Sequence, residues 1–386
     1  MGVDCNEATK TESLRFPNVQ IQTEDKPPAV VFDAKVLNHQ RCVPEQFLWP
    51  EDEKPTLDVP EIQVPVIDIG KFFSGDASYQ EKTIREMHEA CVEHGFFLVV
   101  NHGIDTHLTE DALRCMDDFF ELPLEEKQRA KRVNGQSFGY ASSFTGRFLS
   151  KLPWKETLSF RYAAANDFKV VDETFLNTMG EKVAQFGKQY QEYADAVNNL
   201  SLQIMELLAL SLGVKRDHFR NFFSDNDSIL RLNYYPSCQN PNLVLGTGPH
   251  CDPTSLTILL QDQVSGLQVL LDNKWFSVKP HAGSFVVNIG DTFRALTNGR
   301  YKSCMHRAVV NPHTVRKTVA FFMSPSLEKA VTPPSELVDN GNPKKYPPFT
   351  WGMLLEYTQN HHRADMNTLT NFSTWVQQNS LTGTVE

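Results

Sequence analysis

Four residues in the second half of the chain have the types and spacing to bind a metal ion and an anion: His250, Asp252, His306 and Arg316. Two imidazole nitrogens and one carboxylate oxygen occupy one face of an iron(II) ion and leave the opposite face open for further reactants. Since His250 and Asp252 are two residues apart, an extended strand would direct both side chains to one side. By the same parity Arg316 lies beside Thr318, and a guanidinium group next to a hydroxyl is a good receptor for a carboxylate.

A His-x-Asp triplet is common by chance, and the surrounding sequence makes this one significant. Short apolar runs separated by turn residues predict several strands between His250 and His306, and two further strands carry His306 and the Arg316–Thr318 pair. Regularly spaced short strands are typical of a jelly roll, whose interior could hold these side chains. The predicted strands cover residues 64–69, 96–100, 256–260, 267–271, 275–278, 285–289, 305–310 and 317–323.

Helical spacing of apolar residues predicts helices at residues 79–94, 109–122, 181–212 and 351–359. The third is long, and its stripe of methionine and aromatic residues predicts a face packed against a sheet. The expected fold is mixed α and β, a double-stranded β-helix (jelly roll) core with flanking helices that include one long supporting helix. His102, at a predicted strand end, is expected to be a structural histidine.

The chain is predicted to contain five regions. They are a largely disordered or draped N-terminal extension at 1–60, an N-terminal α/β region at 61–180, the long supporting helix and its connection at 181–225, a catalytic jelly-roll domain at 226–335, and a C-terminal helix and tail at 336–386. Within the extension, the apolar patch at residues 46–50 is expected to pack locally.

Composition narrows the class of protein. The 386 residues include 37 Lys+Arg and 47 Asp+Glu, a formal net charge of -10, without a long basic block. This argues against nucleic acid or an anionic membrane as a partner. The apolar runs are too short to span a bilayer, and 7 scattered cysteines without a Cys-x-x-Cys pair predict reduced thiols. We expect a cytoplasmic protein, for which nothing demands more than a monomer.

The chain from about residue 62 to residue 360 resembles the plant iron(II)- and 2-oxoglutarate-dependent dioxygenases. Residues 64–68 (Val-Pro-Val-Ile-Asp), 94–97 (His-Gly-Phe-Phe) and 100–103 (Val-Asn-His-Gly) are similar to the N-terminal domain of that family. Residues 233–236 (Asn-Tyr-Tyr-Pro), the His-x-Asp motif and the distal histidine resemble its catalytic jelly roll. Thr318 stands where the family usually has Ser, and since the hydroxyl is kept we expect co-substrate binding to survive.

Four segments resemble the gibberellin 20-oxidases within that family: residues 47–50, 152–157, 233–238 and 245–257. The second, Leu-Pro-Trp-Lys-Glu-Thr, discriminates best, because the metal motifs are shared among many subfamilies. Leu260 departs from the pattern, since the subfamily usually has His at that position, but the difference leaves the metal ligands intact.

The resemblance implies an enzyme that uses Fe(II), with 2-oxoglutarate and O2 as co-substrates and ascorbate as a supporting reductant. The implied metal ligands are His250, Asp252 and His306. Arg316 and Thr318 would bind the far carboxylate of 2-oxoglutarate, with help from Tyr235 and Asn233 at matching family positions. The implied reaction is successive oxidation of carbon 20 of a C20 gibberellin precursor, a diterpenoid carboxylic acid, to a C19 gibberellin in hormone biosynthesis.

An apolar polycyclic acid needs a mainly hydrophobic pocket with one or two cations. Candidates lie within and around the distinctive segment, although each lysine among them could equally be a solvated surface residue. They are Trp154, Lys151, Lys155, Arg161, Tyr140, Phe144 and Arg147.

Other interpretations stay open at this stage. A gibberellin 3- or 2-oxidase, or a flavonoid oxygenase, would share the scaffold, and residues 152–157 argue against these sister activities. A non-catalytic jelly-roll binding protein is disfavoured, because a relic site has no reason to keep both the metal triad and Arg316. A zinc hydrolase that uses the same triad would leave the Arg316–Thr318 pair unexplained.

Overall fold

The computed structural model describes residues 32–37, 42–133, 136–143, 151–164, 170–180, 184–361 and 366–382. The strands in these ranges are β1 Val66–Asp68, β2 Phe96–Val100, β3 Gly139–Ser142, β4 Glu156–Ala163, β5 Asp227–Tyr235, β6 Thr247–His250, β7 Leu256–Gln261, β8 Leu267–Leu271, β9 Lys274–Val278, β10 Phe285–Ile289, β11 His306–Ala308, β12 Arg316–Met323, β13 Ala330–Val331 and β14 Phe349–Thr350. The helices are α1 Ala34–Leu37, α2 Ile69–Phe73, α3 Ala77–Glu93, α4 Thr106–Phe120, α5 Leu124–Gln128, α6 Val170–Met179, α7 Ala184–Ser211, α8 His218–Phe222, α9 Asp291–Leu296, α10 Trp351–His361 and α11 Thr368–Thr382.

Two sheets form the jelly-roll core. The larger has eight strands in the order β1-β2-β10-β7-β12-β5-β4-β3, and the smaller has four in the order β6-β11-β8-β9. Leu98 and Val286 of the larger sheet pack with Leu267 and Val269 of the smaller one in a buried apolar cluster. Apolar side chains therefore fill one end of the space between the two sheets, and polar side chains line the rest of it.

Helices cover the outer face of the larger sheet. Phe97 and Val287 are adjacent in sequence to the inward-facing Leu98 and Val286, so they point to the outer face. They belong to a second large apolar cluster that includes Leu207 and Leu208 of α7. Because β10 is buried on both faces, its residues are apolar at every position except Asn288 and do not alternate. The 28-residue helix α7 is the long supporting helix that the sequence predicted.

The predicted elements are largely confirmed, with shifts at their ends. The strand predicted at 64–69 ends earlier because α2 begins at Ile69, where Asp68 caps the helix by accepting the backbone N–H of Lys71 at 3.1 Å. The start of the helix predicted from residue 181 falls outside the described residues, and α7 is described from Ala184. Three strands that help to build the site, β3, β4 and β5, were not predicted, nor was α11.

The N-terminal extension lies against the body of the protein wherever it is described. Phe47 is fully buried, with its ring 5.0 Å from that of Trp154. Further along, the backbone N–H of Ser277 donates to Pro60 O at 2.9 Å, so the end of the extension lies beside β9. The apolar patch at residues 46–50 is therefore packed locally through Phe47, while residues 1–31 and 38–41 lie outside the described residues.

Two smaller expectations also have a structural counterpart. The Nδ1 atom of His102 accepts the backbone N–H of Ile104 at 3.1 Å, and its ring packs edge-on 4.7 Å from that of Phe285, which is a structural role. In the described ranges, no helix has both the length and the apolar character that crossing a membrane requires.

Candidate active site

The two histidines and the aspartate of the predicted metal site meet where β6 pairs with β11. His250 and His306 are directly opposed across this pair. The Nε2 atom of His250 lies 3.6 Å from Asp252 Oδ1, and that of His306 lies 3.9 Å from Asp252 Oδ2. All three ligand atoms lie within 4.8 Å of one another. Two imidazoles and a carboxylate around one point are the donor set of a facial iron(II) site, so these residues fit that metal.

Backbone carbonyls fix the orientation of both imidazoles. The Nδ1 atom of His250 lies 2.9 Å from the carbonyl oxygen of Gly248, and that of His306 lies 3.1 Å from the carbonyl oxygen of Cys304. When each Nδ1–H donates to its carbonyl, the lone pair of each Nε2 points at the shared centre. This is the usual support of histidine metal ligands.

Burial and mutual charge keep the donors in their metal-binding forms. Burial, followed by the charge of His306, lowers the pKa of His250 to about 4, so the imidazole is neutral near pH 7. Burial alone would raise the pKa of Asp252, but the two histidines and a 2.6 Å hydrogen bond from the Thr257 hydroxyl hold it below its ordinary value. A neutral imidazole and an ionised carboxylate are the states that metal binding requires.

The chain path to Asp252 differs from the predicted one. Strand β6 ends at His250, so Asp252 stands in the following turn and not in the same strand. Gly290 holds this turn in place, because a Cβ atom there would come within 2.0 Å of the Thr254 carbonyl oxygen and 2.9 Å of the Asp252 carbonyl oxygen. The backbone N–H of Asp291 also donates to Asp252 O at 2.8 Å. Close packing against the start of α9, and not strand parity, brings the carboxylate to the histidines.

The four residues predicted to bind the co-substrate lie together on the inner face of the larger sheet. Arg316 and Thr318 of β12 are directly opposite Tyr235 and Asn233 of β5, respectively. Directly opposed residues share a face of the sheet. The side-chain amide of Asn233 donates to the Thr318 hydroxyl at 3.2 Å, so these two positions are also linked directly.

Arg316 is a buried cation held by neutral acceptors. Its side chain is 2% exposed, and it donates to the Val264 carbonyl at 3.2 Å and to Gln261 Oε1 at 2.8 Å. The guanidinium carbon lies 5.2 Å from the centre of the Tyr235 ring. A buried guanidinium that donates to neutral acceptors is suited to bind an anion, because the anion compensates the buried charge.

Lys155, among the predicted substrate residues, faces the site. Its Nζ atom donates to Thr247 Oγ1 at 2.9 Å and lies 3.4 Å from Asn233 Oδ1 and 5.8 Å from the centre of the Tyr235 ring. Burial, followed by the charges of Arg231 and Arg132, holds the pKa of this lysine well below its ordinary value. Lys155 therefore neighbours the residues predicted to bind the co-substrate.

The other predicted substrate residues have structural contacts or fall outside the described ranges. Trp154 donates from Nε1 to Pro236 O at 3.1 Å, Lys151 pairs with Glu53 at 2.6 Å, and Arg161 pairs with Asp227 through contacts of 2.8 and 2.6 Å. Tyr140 is buried on the outer face of the sheet, 6.1 Å from the ring of Phe119. Phe144 and Arg147 lie outside the described residues.

Sequence reasoning missed two arginines beside the site. Arg231 of β5 stands two residues before Asn233 and donates from Nε to the Ser159 hydroxyl at 3.0 Å. Arg132, which follows α5, donates to the same hydroxyl at 3.2 Å. The parity that links Arg316 to Thr318 would have placed Arg231 beside Asn233, had β5 been predicted as a strand.

A jelly roll that holds two histidines and an aspartate near a buried arginine is the arrangement of an iron(II)- and 2-oxoglutarate-dependent oxygenase. The family model described as the 2OG-Fe(II) oxygenase superfamily matches residues 226–325. A second, described as the non-haem dioxygenase in morphine synthesis N-terminal, matches residues 64–181.

Individual relatives narrow this class. The chain is 53% identical to gibberellin 20 oxidase 2 of Arabidopsis thaliana over 98% of this chain and 99% of the relative. It is 58% identical to gibberellin 20 oxidase 1-D of Triticum aestivum over 90% of this chain and 96% of the relative. The chain therefore belongs to the gibberellin 20 oxidase family of 2OG-Fe(II) oxygenases.

Solved structures agree with the fold. The crystal structure of JOX2 in complex with 2OG, Fe and JA matches with a TM-score of 0.79 and 30% identity, over 90% of this chain and 99% of that one. The dioxygenase for auxin oxidation in rice matches with a TM-score of 0.67 and 26% identity, over 80% of this chain and 99% of that one. The predicted jelly-roll fold class is thereby confirmed. The protein is an oxidoreductase that uses Fe(II), 2-oxoglutarate and O2, and ascorbate is a typical further addition.

Proposed function

We propose that this protein oxidises carbon 20 of C20 gibberellin precursors in successive steps and releases C19 gibberellins. The supporting observation is 53% identity to a gibberellin 20 oxidase across 98% of the chain. The segment at residues 152–157 adds to this support, since it distinguishes the subfamily from others that share the metal motif. Each oxidation consumes one 2-oxoglutarate and one O2, and it releases succinate and CO2.

In this proposal His250, Asp252 and His306 hold the iron. The bound metal would supply the oxygen chemistry, and the protein supplies coordination, orientation and exclusion of water. The two carbonyl acceptors behind the imidazoles and the Thr257 hydroxyl behind Asp252 keep the three donors aimed at one centre. Substrate and co-substrate then approach from the open side of the ligand set.

Arg316 and Thr318 bind the far carboxylate of 2-oxoglutarate in the same proposal. The guanidinium is already oriented by Gln261 and by the Tyr235 ring, so binding requires little rearrangement. Asn233 donates to the Thr318 hydroxyl, which directs the hydroxyl hydrogen away from Asn233 and towards an anion. Because Thr318 keeps the hydroxyl of the family's usual Ser, the site retains its second donor.

The N-terminal extension contributes to water exclusion. Trp49 packs on Gly248, two residues before His250, so closely that a Cβ atom at Gly248 would lie 2.7 Å from its Cη2 atom. Lys151 lies 5.5 Å from the centre of the same ring and pairs with Glu53. We assign the shielding of this end of β6 from water to Trp49, with Lys151 packed over its ring.

We further propose that the enzyme acts as a monomer in the cytoplasm. Every residue assigned above comes from one chain, so a single copy provides the complete site. Six cysteines are free thiols in the described residues, which suits a reducing compartment. Size-exclusion chromatography with light scattering tests the first statement, and a dimer mass would contradict it.

The experiment that tests the proposed function is an aerobic incubation with Fe(II), ascorbate, 2-oxoglutarate and a panel of gibberellins, followed by mass spectrometry. We expect a C20 alcohol, then an aldehyde, then a C19 lactone. The His306→Ala variant should lose this activity, and the exposed histidine variant His281→Ala should keep it. Hydroxylation at carbon 2 or 3 of C19 substrates would indicate a sister activity instead, and 2-oxoglutarate consumption without gibberellin oxidation would indicate another substrate.

A further inference from the structure

Two arginines converge on one neutral hydroxyl on the inner face of the larger sheet. Arg231 Nε and Arg132 Nη2 donate to Ser159 Oγ at 3.0 and 3.2 Å, respectively. Both arginines are half-buried, which strengthens the hydrogen bonds that their charges make. Two guanidinium groups that donate to one hydroxyl lie close enough to donate to one carboxylate as well, and such charge-assisted hydrogen bonds are the strong ones.

The pair lies on the same inner surface as the proposed co-substrate residues but at a different place. Arg231 is opposite Ser159 on β4 and opposite Ala320 on β12. Ala320 stands four residues after Arg316 in the strand, which corresponds to about 14 Å along it. A 2-oxoglutarate carboxylate at Arg316 and a second carboxylate at the arginine pair would therefore occupy different places on this surface.

The surroundings of the pair suit an apolar acid. The guanidinium carbon of Arg231 lies 5.2 Å from the centre of the half-buried Phe322 ring, which follows Ala320 on the same face of β12. An aromatic ring and a methyl group thus form an apolar floor beside a cationic group. A pocket with an apolar surface and one charged anchor is the usual receptor for a hydrophobic carboxylic acid.

The backbone holds Arg132 in place at the edge of the sheet. Its N–H donates to Tyr140 O at 2.8 Å, and the N–H of Tyr140 donates to Ala130 O at 2.6 Å. Gly139 permits this close approach: it has φ +95°, and a Cβ atom there would lie 2.7 Å from Ala130 O and 2.9 Å from Arg132 Cα. The position of Arg132 therefore depends on a glycine in β3.

We propose that Arg231 and Arg132 bind a carboxylate of the gibberellin substrate, and that Ser159 positions both guanidinium groups. This inference rests on the proposed function and names the anchor for its substrate. It also separates two cationic regions: Lys155 contacts Asn233 and Thr247 beside the co-substrate residues, whereas the arginine pair serves the substrate.

The test compares each gibberellin acid with its methyl ester, which keeps the apolar skeleton and removes the negative charge. The wild-type enzyme should prefer the acid. In Arg231→Gln and Arg132→Gln the KM for the acid should rise about 10- to 100-fold, the loss expected for a charge-assisted hydrogen bond. The KM for the ester and the KM for 2-oxoglutarate should change little. Arg231→Lys should recover part of the preference for the acid.

The matched control is Arg129→Gln, which removes a half-exposed arginine that pairs with Glu126 at 3.2 Å. It should keep the wild-type ratio of acid to ester turnover. Ser159→Ala should weaken the preference for the acid while both arginines remain. Gly139→Ala should do the same by displacing Arg132, and it provides a second readout if an arginine variant does not fold.

The inference is overturned if folded arginine variants keep the wild-type acid-to-ester ratio, or if their main defect is a raised KM for 2-oxoglutarate. Failure of the proposed function has a different signature. In that case the wild-type enzyme would not oxidise carbon 20, yet the acid-to-ester ratio for whichever acid it does oxidise would still report on the arginine pair.

Discussion

Gly266 offers a specific test of how the co-substrate residues are positioned. A Cβ atom at this buried position would lie 2.7 Å from Arg316 Cδ, 2.9 Å from Arg316 Nε and 2.8 Å from the Val309 carbonyl oxygen. Carbon atoms in ordinary contact stand about 3.5 Å apart, so Gly266→Ala must move the arginine by roughly 0.8 Å. The Val309 side cannot yield easily, because its N–H donates to Gly266 O at 2.8 Å.

A shift of this size disturbs the anion site more than the fold. The 2.8 Å hydrogen bond from Arg316 to Gln261 would lengthen beyond bonding distance. Losing one charge-assisted hydrogen bond to the co-substrate costs about 1.5–3 kcal/mol, so the KM for 2-oxoglutarate should rise about 10- to 150-fold. The overpacking should also lower the free energy of unfolding by about 1–3 kcal/mol.

The assay measures succinate formation as a function of 2-oxoglutarate and, separately, of gibberellin. Only the KM for 2-oxoglutarate should rise. Gly341→Ala is the matched control, since its Cβ atom would approach only Asp339 Oδ1, at 3.3 Å. In an Arg316→Met background, Gly266→Ala should have no further effect on this KM. A folded Gly266→Ala enzyme with an unchanged KM for 2-oxoglutarate would refute the reasoning.

Three further predictions concern the supports of the site. Thr257→Val removes the 2.6 Å hydrogen bond to Asp252 and should weaken metal binding about 10- to 100-fold in an anaerobic Fe(II) titration. Thr318→Ser keeps a hydroxyl and should leave the KM for 2-oxoglutarate nearly unchanged, whereas Thr318→Val should raise it about 2- to 12-fold. Lys127→Met leaves the Glu156 carboxylate buried without its 2.9 Å partner, and it should lower the free energy of unfolding in urea by about 3–5 kcal/mol.

The chain offers matched controls for the Thr257→Val and Lys127→Met variants. Thr358→Val removes a buried hydroxyl that donates to a helix carbonyl and should leave metal affinity intact. Lys71→Met breaks an exposed pair with Asp68 and should cost at most about 1 kcal/mol. Equal losses of stability in Lys127→Met and Lys71→Met would contradict the buried ion pair, and equal KM values for Thr318→Ser and Thr318→Val would contradict the role of the hydroxyl.

The sequence predicts the site best where side-chain parity within one strand is sufficient. Arg316 and Thr318 are placed together by their spacing in β12, and the structure has them on one face opposite Tyr235 and Asn233. The position of Asp252 cannot be predicted in this way. It depends on the packing of a turn against Gly290, which is distant in sequence.

Strands β4 and β5 were missed although their sequences carry a signal. Polar residues that face the site, such as Ser159 and Arg231, alternate with apolar residues that face the core, such as Leu158 and Leu230. This alternation is the pattern that identifies a half-buried strand, so both strands could have been predicted. Buried charges are harder to foresee, since Lys127 and Glu156 would normally be assigned to the surface.

Helix α11 shows a different limit. Its sequence is rich in Thr, Asn and Ser, which have low helix propensity, so composition argues against a helix. The helical spacing of Leu369, Phe372 and Val376 is present, and these residues are buried in the core. Tertiary packing of this apolar face, and not local propensity, stabilises the helix.

The central claim is that the enzyme acts at carbon 20, and a substrate labelled with carbon-13 at that position tests it most directly. The label should pass through an alcohol and an aldehyde and be absent from the C19 product, with one succinate formed for each oxidation. A product that retains the label and carries a new hydroxyl group on a ring carbon would contradict the account.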